Sequence, residues 1–250
     1  MIRQLRGIVL AGSAAALAVT NIAVTAHVAS AATTLCGQYA STRTGQYVVQ
    51  NNRWGTSATQ CINVTGSGFQ ITQQDGVSHG GAPVSYPSIF YGCHYNNCST
   101  GSVLPKQISA MRTVTSSIVY KFVNGGTYDA SYDIWMDPTP KKTGVNRTEV
   151  MIWFNRVGGA APVGSAKGSV TIGGRSWTVW TGNNGSNNVV SYVAPSAVGS
   201  WSFSVLDFLR DTISRGYGTT AWYLTSIQAG FEPWHGGVGL AVSSFSAAVN

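Results

Sequence analysis

The chain has 250 residues, of which 44% are hydrophobic and only 9% charged, so its polar surface rests on Gly, Ser, Thr, Asn, Tyr and Trp and suits uncharged polar ligands. Lys and Arg exceed Asp and Glu by 15 to 8, but Lys141 and Lys142 are the one adjacent basic pair, and such dispersal excludes the continuous basic stripe that nucleic-acid binding needs.

Residues 1–31 have the layout of a secretory signal: Arg3 and Arg6 at the start, an apolar run from Ile8 to Val19, and the small residues Ala29-Ser30-Ala31 at a cleavage site. The apolar run is too short, and its downstream flank too poor in basic residues, for a retained membrane anchor. Residues 32–250 then form a single domain, large enough for a sizeable core, with no Pro/Ser/Thr linker marking off a second module. Export puts Cys36, Cys61, Cys93 and Cys98 in an oxidising setting. Four cysteines allow three pairings, but Cys93 and Cys98 are near enough to close a small loop, which leaves Cys36 with Cys61. The Cys93-His94-Tyr95-Asn96-Asn97-Cys98 spacing matches no common zinc signature, so no metal is assigned.

From Cys36 to Ala110, short strand-like runs such as 46–50 and 59–64 alternate with turn signals, the pattern of an all-β sandwich. Between those two runs lies Asn51-Asn52-Arg53-Trp54-Gly55, where Trp54 suits a core and a cleft equally. His94 by itself reads as a surface histidine pinned by its bridged neighbours. Strands at 113–122 and 128–136 follow, joined by a hairpin-type turn at Asn124-Gly125-Gly126. In the second of these, Asp129, Ser131, Asp133 and Trp135 share a face. After a loop at 138–144, further strands are expected at 149–155, 169–172, 175–181 and 189–193, with Gly173-Gly174 as a tight turn. Val205, Leu206, Leu209 and Ile213 recur at helical spacing, predicting one short helix between 202 and 214 that a Ser caps and Gly216 ends. Strands at 222–231 and 238–249 complete the chain.

The whole glutamate inventory is Glu149 and Glu232. Alternation puts Glu149, Met151, Trp153 and Asn155 on one face of their strand and Val150, Ile152 and Phe154 in the core. Around the second, Gln228, Gly230, Glu232 and Trp234 share a face opposite Ala229 and Phe231. A carboxylate among an indole, a thioether and carboxamides is an unusual solvent face but a reasonable floor for a sugar cleft. The 128–136 and 149–155 strands are natural antiparallel neighbours, which sets Asp133 near Glu149.

Glu149-Val150-Met151-Ile152-Trp153, Gly230-Phe231-Glu232-Pro233-Trp234 with Gly237 and Gly239, Tyr132-Asp133-Ile134-Trp135 and Asn51-Asn52-Arg53-Trp54-Gly55 together resemble glycoside hydrolase family 12, the secreted endoglucanases, in the family's order and across residues 32–250. The resemblance implies a jelly-roll sandwich of two curved antiparallel sheets with a concave substrate cleft. It implies Glu149 as nucleophile, Glu232 as general acid/base and Asp133 as the aspartate that supports the nucleophile. Trp54, Asn52, His94, Met151, Trp153, Asn155, Trp135 and Trp234 become substrate-binding candidates. It further implies a secreted, monomeric, cofactor-free catalytic domain acting on β-glucan, with neither nucleic acid nor membrane as partner. The alternatives are a related xyloglucanase or xylanase, or a non-catalytic sugar-binding module, which would give no reason for two opposed glutamates. The absence of a cellulose-binding module argues against efficient attack on crystalline cellulose.

Overall fold

The computed structural model describes residues 33–250, and the signal reading of residues 1–31 lies outside the described residues. Strands β1 (Thr33–Leu35), β2 (Ser41–Thr44), β3 (Tyr47–Gln50), β4 (Gln60–Thr65), β5 (Gly68–Gln74) and β6 (Ser88–His94) open the chain. The short β7 (Asn97–Cys98) and β8 (Lys106–Gln107) precede β9 (Val114–Lys121), β10 (Thr127–Asp137) and β11 (Thr148–Val157). Next come β12 (Ser165–Ile172), β13 (Arg175–Asn183), β14 (Asn188–Val193) and β15 (Ser200–Ser204), then helix α1 (Val205–Ser214), β16 (Tyr223–His235) and β17 (Ala241–Val249).

They form a jelly-roll sandwich. A six-stranded sheet runs β1-β4-β5-β17-β9-β15, and a larger one runs β12-β13-β14-β11-β10-β16-β6-β3-β2, with β7 and β8 added to β6 and β16. Neighbours are antiparallel except that β14 joins β11 in parallel. The core between the sheets follows from period-two alternation: Tyr128, Ala130, Tyr132 and Ile134 of β10, Val150, Ile152 and Phe154 of β11, and Ala229 and Phe231 of β16 are all fully buried there. Phe154 and Tyr132 meet Phe203 of the smaller sheet with ring centroids 5.9 and 5.1 Å away. Truncating one such ring to Ala costs about 3–5 kcal/mol, because the sheets cannot close over the void.

The expected hairpin at 124–126 is corrected by the structure. β9 pairs with β17 and β15, whereas β10 pairs with β11 and β16, so the turn carries the chain from one sheet to the other. The reason is that both strands bear an apolar stripe, Ile118 and Tyr120 on β9 and Tyr128 and Tyr132 on β10, and these bury themselves by packing face to face. Gly173-Gly174, by contrast, closes a true β12–β13 hairpin: Ile172 pairs Arg175 and both glycines have positive φ. Helix α1 starts at Ser204, whose side chain accepts from the Asp207 N–H, and it packs Phe208 against Trp177 and Tyr192. Disulfides join Cys36 to Cys61 and Cys93 to Cys98.

Candidate active site

The outward, concave face of the larger sheet carries a cleft of about 1010 Å³. Its floor is built by three adjacent central strands. β10 lies between β11 and β16 and pairs Asp133 with Met151, Trp135 with Glu149, and Asp129 with Glu232. The ladder partners of the two glutamates are thus six residues apart along β10. On a flat strand that is about 20 Å, and both glutamates nonetheless line one cleft. Close packing of β16 on β6 depends on Gly230, where any Cβ would run into the Pro87 carbonyl.

Asn52, Trp54, His94, Asp133, Trp135, Glu149, Met151, Trp153, Glu232 and Trp234 all line the cleft, so the structure brings these predicted residues together. Trp54 is 44% exposed, which resolves its ambiguity in favour of the cleft. Asn52 sits at φ 39°, a left-handed conformation that Asn tolerates better than most side chains. Trp234 donates its Nε1–H to the Gly81 carbonyl at 2.7 Å, while the buried Trp153 Nε1 has no partner among the described residues. Burial lowers His94 to about 4, so its ring is neutral near pH 7, and Nδ1 lies 3.2 Å from Gln50 Oε1. Gln50 donates in turn to Gln228 Oε1 at 3.2 Å.

Asn155 does not belong to this cleft. Ser131 and Ala130, consecutive on β10, pair with Trp153 and Asn155, so Phe154 is an extra residue and a bulge breaks the alternation that grouped Asn155 with Glu149. Asn155 instead lines a separate depression of about 270 Å³ with Arg156 and Trp180.

Four carboxyl groups crowd the floor. Burial raises Glu149 to about 7, opposed by a hydrogen bond from Asn187, whose Nδ2 donates to Oε2 at 3.2 Å, and by one from Asp133. Asp133 is driven well above the usual carboxylate range by burial and then by the charges of Glu149 and Glu232. It therefore holds its proton, and its O–H is a hydrogen-bond donor toward the Glu149 carboxylate. Glu232 is likewise raised well above its ordinary value, by burial first and then by the charge of Asp129. Both glutamates are thus raised, but hydrogen bonds from neighbours oppose the rise at Glu149, whereas the neighbouring charge of Asp129 adds to it at Glu232.

Two participants were not among the residues singled out from sequence. Asn187 sits in the turn before β14, and only the parallel pairing of β14 with β11 carries it to Glu149; its surrounding run of asparagines reads simply as a turn. Asp129 was visible on the same face as Asp133, but nothing local distinguishes it from a turn-flanking residue.

Two glutamates in unlike surroundings, facing one aromatic-lined groove on a β-sandwich, are the parts a glycoside hydrolase needs, because an acetal breaks when one group protonates the leaving oxygen and another answers the developing positive charge. The chain belongs to glycosyl hydrolase family 12, whose sequence model matches residues 45–250. It is 50% identical over 150 residues to the probable cellulase Cel12b of Mycobacterium tuberculosis, a match covering 60% of this chain and 99% of that one. It is 34% identical over 248 residues to the xyloglucan-specific endo-beta-1,4-glucanase 1 of Phytophthora nicotianae, covering 94% and 98%. The native structure of the endo-1,4-beta-glucanase CelB2, a cellulase, matches with a TM-score of 0.86 at 57% identity, covering 87% of this chain and 99% of that one.

Proposed function

We propose that this chain is a secreted, monomeric endo-β-1,4-glucanase that hydrolyses internal bonds of cellulose-type or mixed-linkage glucans by a retaining double displacement. The observation that carries the reading is the pair of glutamates lining one cleft in unlike surroundings: Asn187 donates to Glu149, which favours its anion, while the ladder sets the Asp129 carboxyl opposite Glu232, which favours its proton. Glu149 attacks the anomeric carbon while Glu232 protonates the departing oxygen, and a covalent glycosyl-enzyme forms. Glu232, now a base, takes a proton from water, which displaces Glu149. Asp133 holds the Glu149 carboxylate by donating to it. A cleft of about 1010 Å³ has room for a sugar chain, and Trp54 and Trp135 in its lining offer ring faces for glucose units. The two disulfides and the leader-like residues 1–31 support export.

Proton NMR of the first sugar released, read before mutarotation, is expected to show the β anomer; an initial α signal overturns the mechanism. Glu149→Gly is expected to be inactive on glucan yet rescued by azide to an α-glycosyl azide, since the small anion occupies the vacated position. The similarity to a xyloglucan-specific enzyme supports a second reading of the substrate. Rates on carboxymethyl-cellulose, mixed-linkage glucan, xyloglucan and xylan decide between them.

A further inference from the structure

Behind Glu232 stands a carboxyl that the mechanism above does not use. Asp129 is fully buried, and the β10–β16 ladder sets it directly opposite Glu232, which is only partly buried and faces the cleft. Neither carboxylate oxygen of Asp129 has a hydroxyl or amide donor at full hydrogen-bonding geometry among the described residues; the nearby Ser131 hydroxyl donates to Asp133 at 3.3 Å. Its principal side-chain partner is the Glu232 carboxyl. Two carboxylates cannot meet as hydrogen-bond partners without a proton between them, since neither anion has a donor. We propose that Asp129 is a positioning residue for the acid/base: Asp129 and Glu232 share one proton across the ladder, and this fixes the Glu232 carboxyl toward the cleft and keeps a proton ready for the leaving oxygen. This rests on the reading of Glu232 as the acid/base.

The charges round the pair are consistent with a trapped proton. Asp133 of β10 and Glu149 of β11 add negative charge, and the buried hydroxyls of Tyr86 and Tyr120 face the same cluster. Arg156 of β11 pairs with Asp129 in register, but its guanidinium goes to the Ala160 carbonyl at 3.5 Å, and His235 at the end of β16 is exposed and bonded to Thr127. Among the described residues the cluster therefore lacks a close cation to let both carboxyls ionise. Burial raises Asp129 to about 8, in the same direction as Glu232, as a pair that titrates together. The arrangement also serves turnover: once the shared proton has gone to the leaving oxygen, both carboxyls are ionised side by side, and their repulsion makes Glu232 a stronger base for taking a proton back from the attacking water.

The test is Asp129→Asn, which keeps size and shape but replaces a proton-sharing acid with a neutral amide donor. Donation from an amide favours ionised Glu232, and the neighbouring negative charge is lost, so Glu232 should release its proton earlier. The alkaline limb of kcat/KM on soluble glucan is expected to move down by at least about one pH unit, a roughly tenfold loss at a pH on that limb. Loss on dinitrophenyl β-cellobioside, whose leaving group needs no proton, should be markedly smaller at the same pH. Asp129→Ser, with its own melting curve, repeats the measurement if the amide variant does not fold. An unmoved alkaline limb with equal losses on both substrates in a folded variant shows a merely structural aspartate and overturns the proposal. The underlying reading fails separately: Glu232→Ala that keeps full activity on glucan removes Glu232 from the acid/base role, whatever Asp129 does.

Discussion

Glu149 shows how a residue's role is set by what surrounds it. Desolvation by itself favours its protonated form, and hydrogen bonds from Asn187 and Asp133 oppose it, as the proposed role of nucleophile requires. Asp133→Ala, which removes that donor, should therefore lower turnover by about 1.5–3 kcal/mol, a range typical of hydrogen bonds to charged groups, while Glu149→Gln, which removes the proposed bond-forming group, should cost considerably more. Steady-state rates on soluble glucan check this, and equal losses in two folded variants would mean that the roles are misassigned. Asn187→Ala removes a donor that stabilises the Glu149 anion, so Glu149 should bind its proton more tightly. The acid limb of kcat/KM is then expected to shift to higher pH, with the alkaline limb unchanged, in a pH-rate profile of the variant.

Among the elements, the three central strands carry the candidate catalytic residues and the helix packs on the core. β10, β11 and β16 are apolar on one face and functional on the other, which is why their cleft-facing polar residues are held rigidly by the core beneath them. Helix α1 instead turns Phe208 and Leu209 into that core, and Tyr192 ties it down by donating to Asp211 at 2.8 Å. Ser204→Ala removes the acceptor for the Asp207 N–H and should cost about 1 kcal/mol. For a domain of this size the melting temperature should drop by about 2–4 °C. Because α1 supplies none of the cleft lining, kcat and KM should stay at wild-type values; a fall in kcat would show that the helix is coupled to the site.

For the molecule as a whole, the crowded carboxyls are a cost to folding. Glu149 and Asp129 are raised to about 7 and about 8, and Asp133 and Glu232 are raised as well. Groups raised in the folded state bind more protons there than in the unfolded chain, so stability declines as pH rises from the ordinary carboxylate range near 4 through about 8. Melting curves should accordingly place the maximum on the acid side, and Glu149→Gln or Asp129→Asn should flatten the decline. A melting temperature that climbs from pH 4 to 8 would contradict this. The loss of stability is the counterpart of function, since the same desolvation and repulsion keep the proton on Glu232.

Much of this was legible in the chain itself. Which carboxyls share a face, which side of each strand enters the core, and where the helix begins depend on side-chain alternation and capping, which are local properties, and Glu149, Asp133 and Glu232 could be read from them. Strand order could not, because pairing partners are chosen by burial over long separations: the turn at 124–126 became a crossover between sheets, and β14 joined β11 in parallel. Nor could the bulge at Phe154 that removed Asn155 from the cleft, since one extra residue reverses every later side chain without changing the composition of the strand. The partners that separate the two glutamates, Asn187 beside one and Asp129 beside the other, were likewise decided by the tertiary structure, because a carboxyl's affinity for its proton depends on the groups that the fold packs against it.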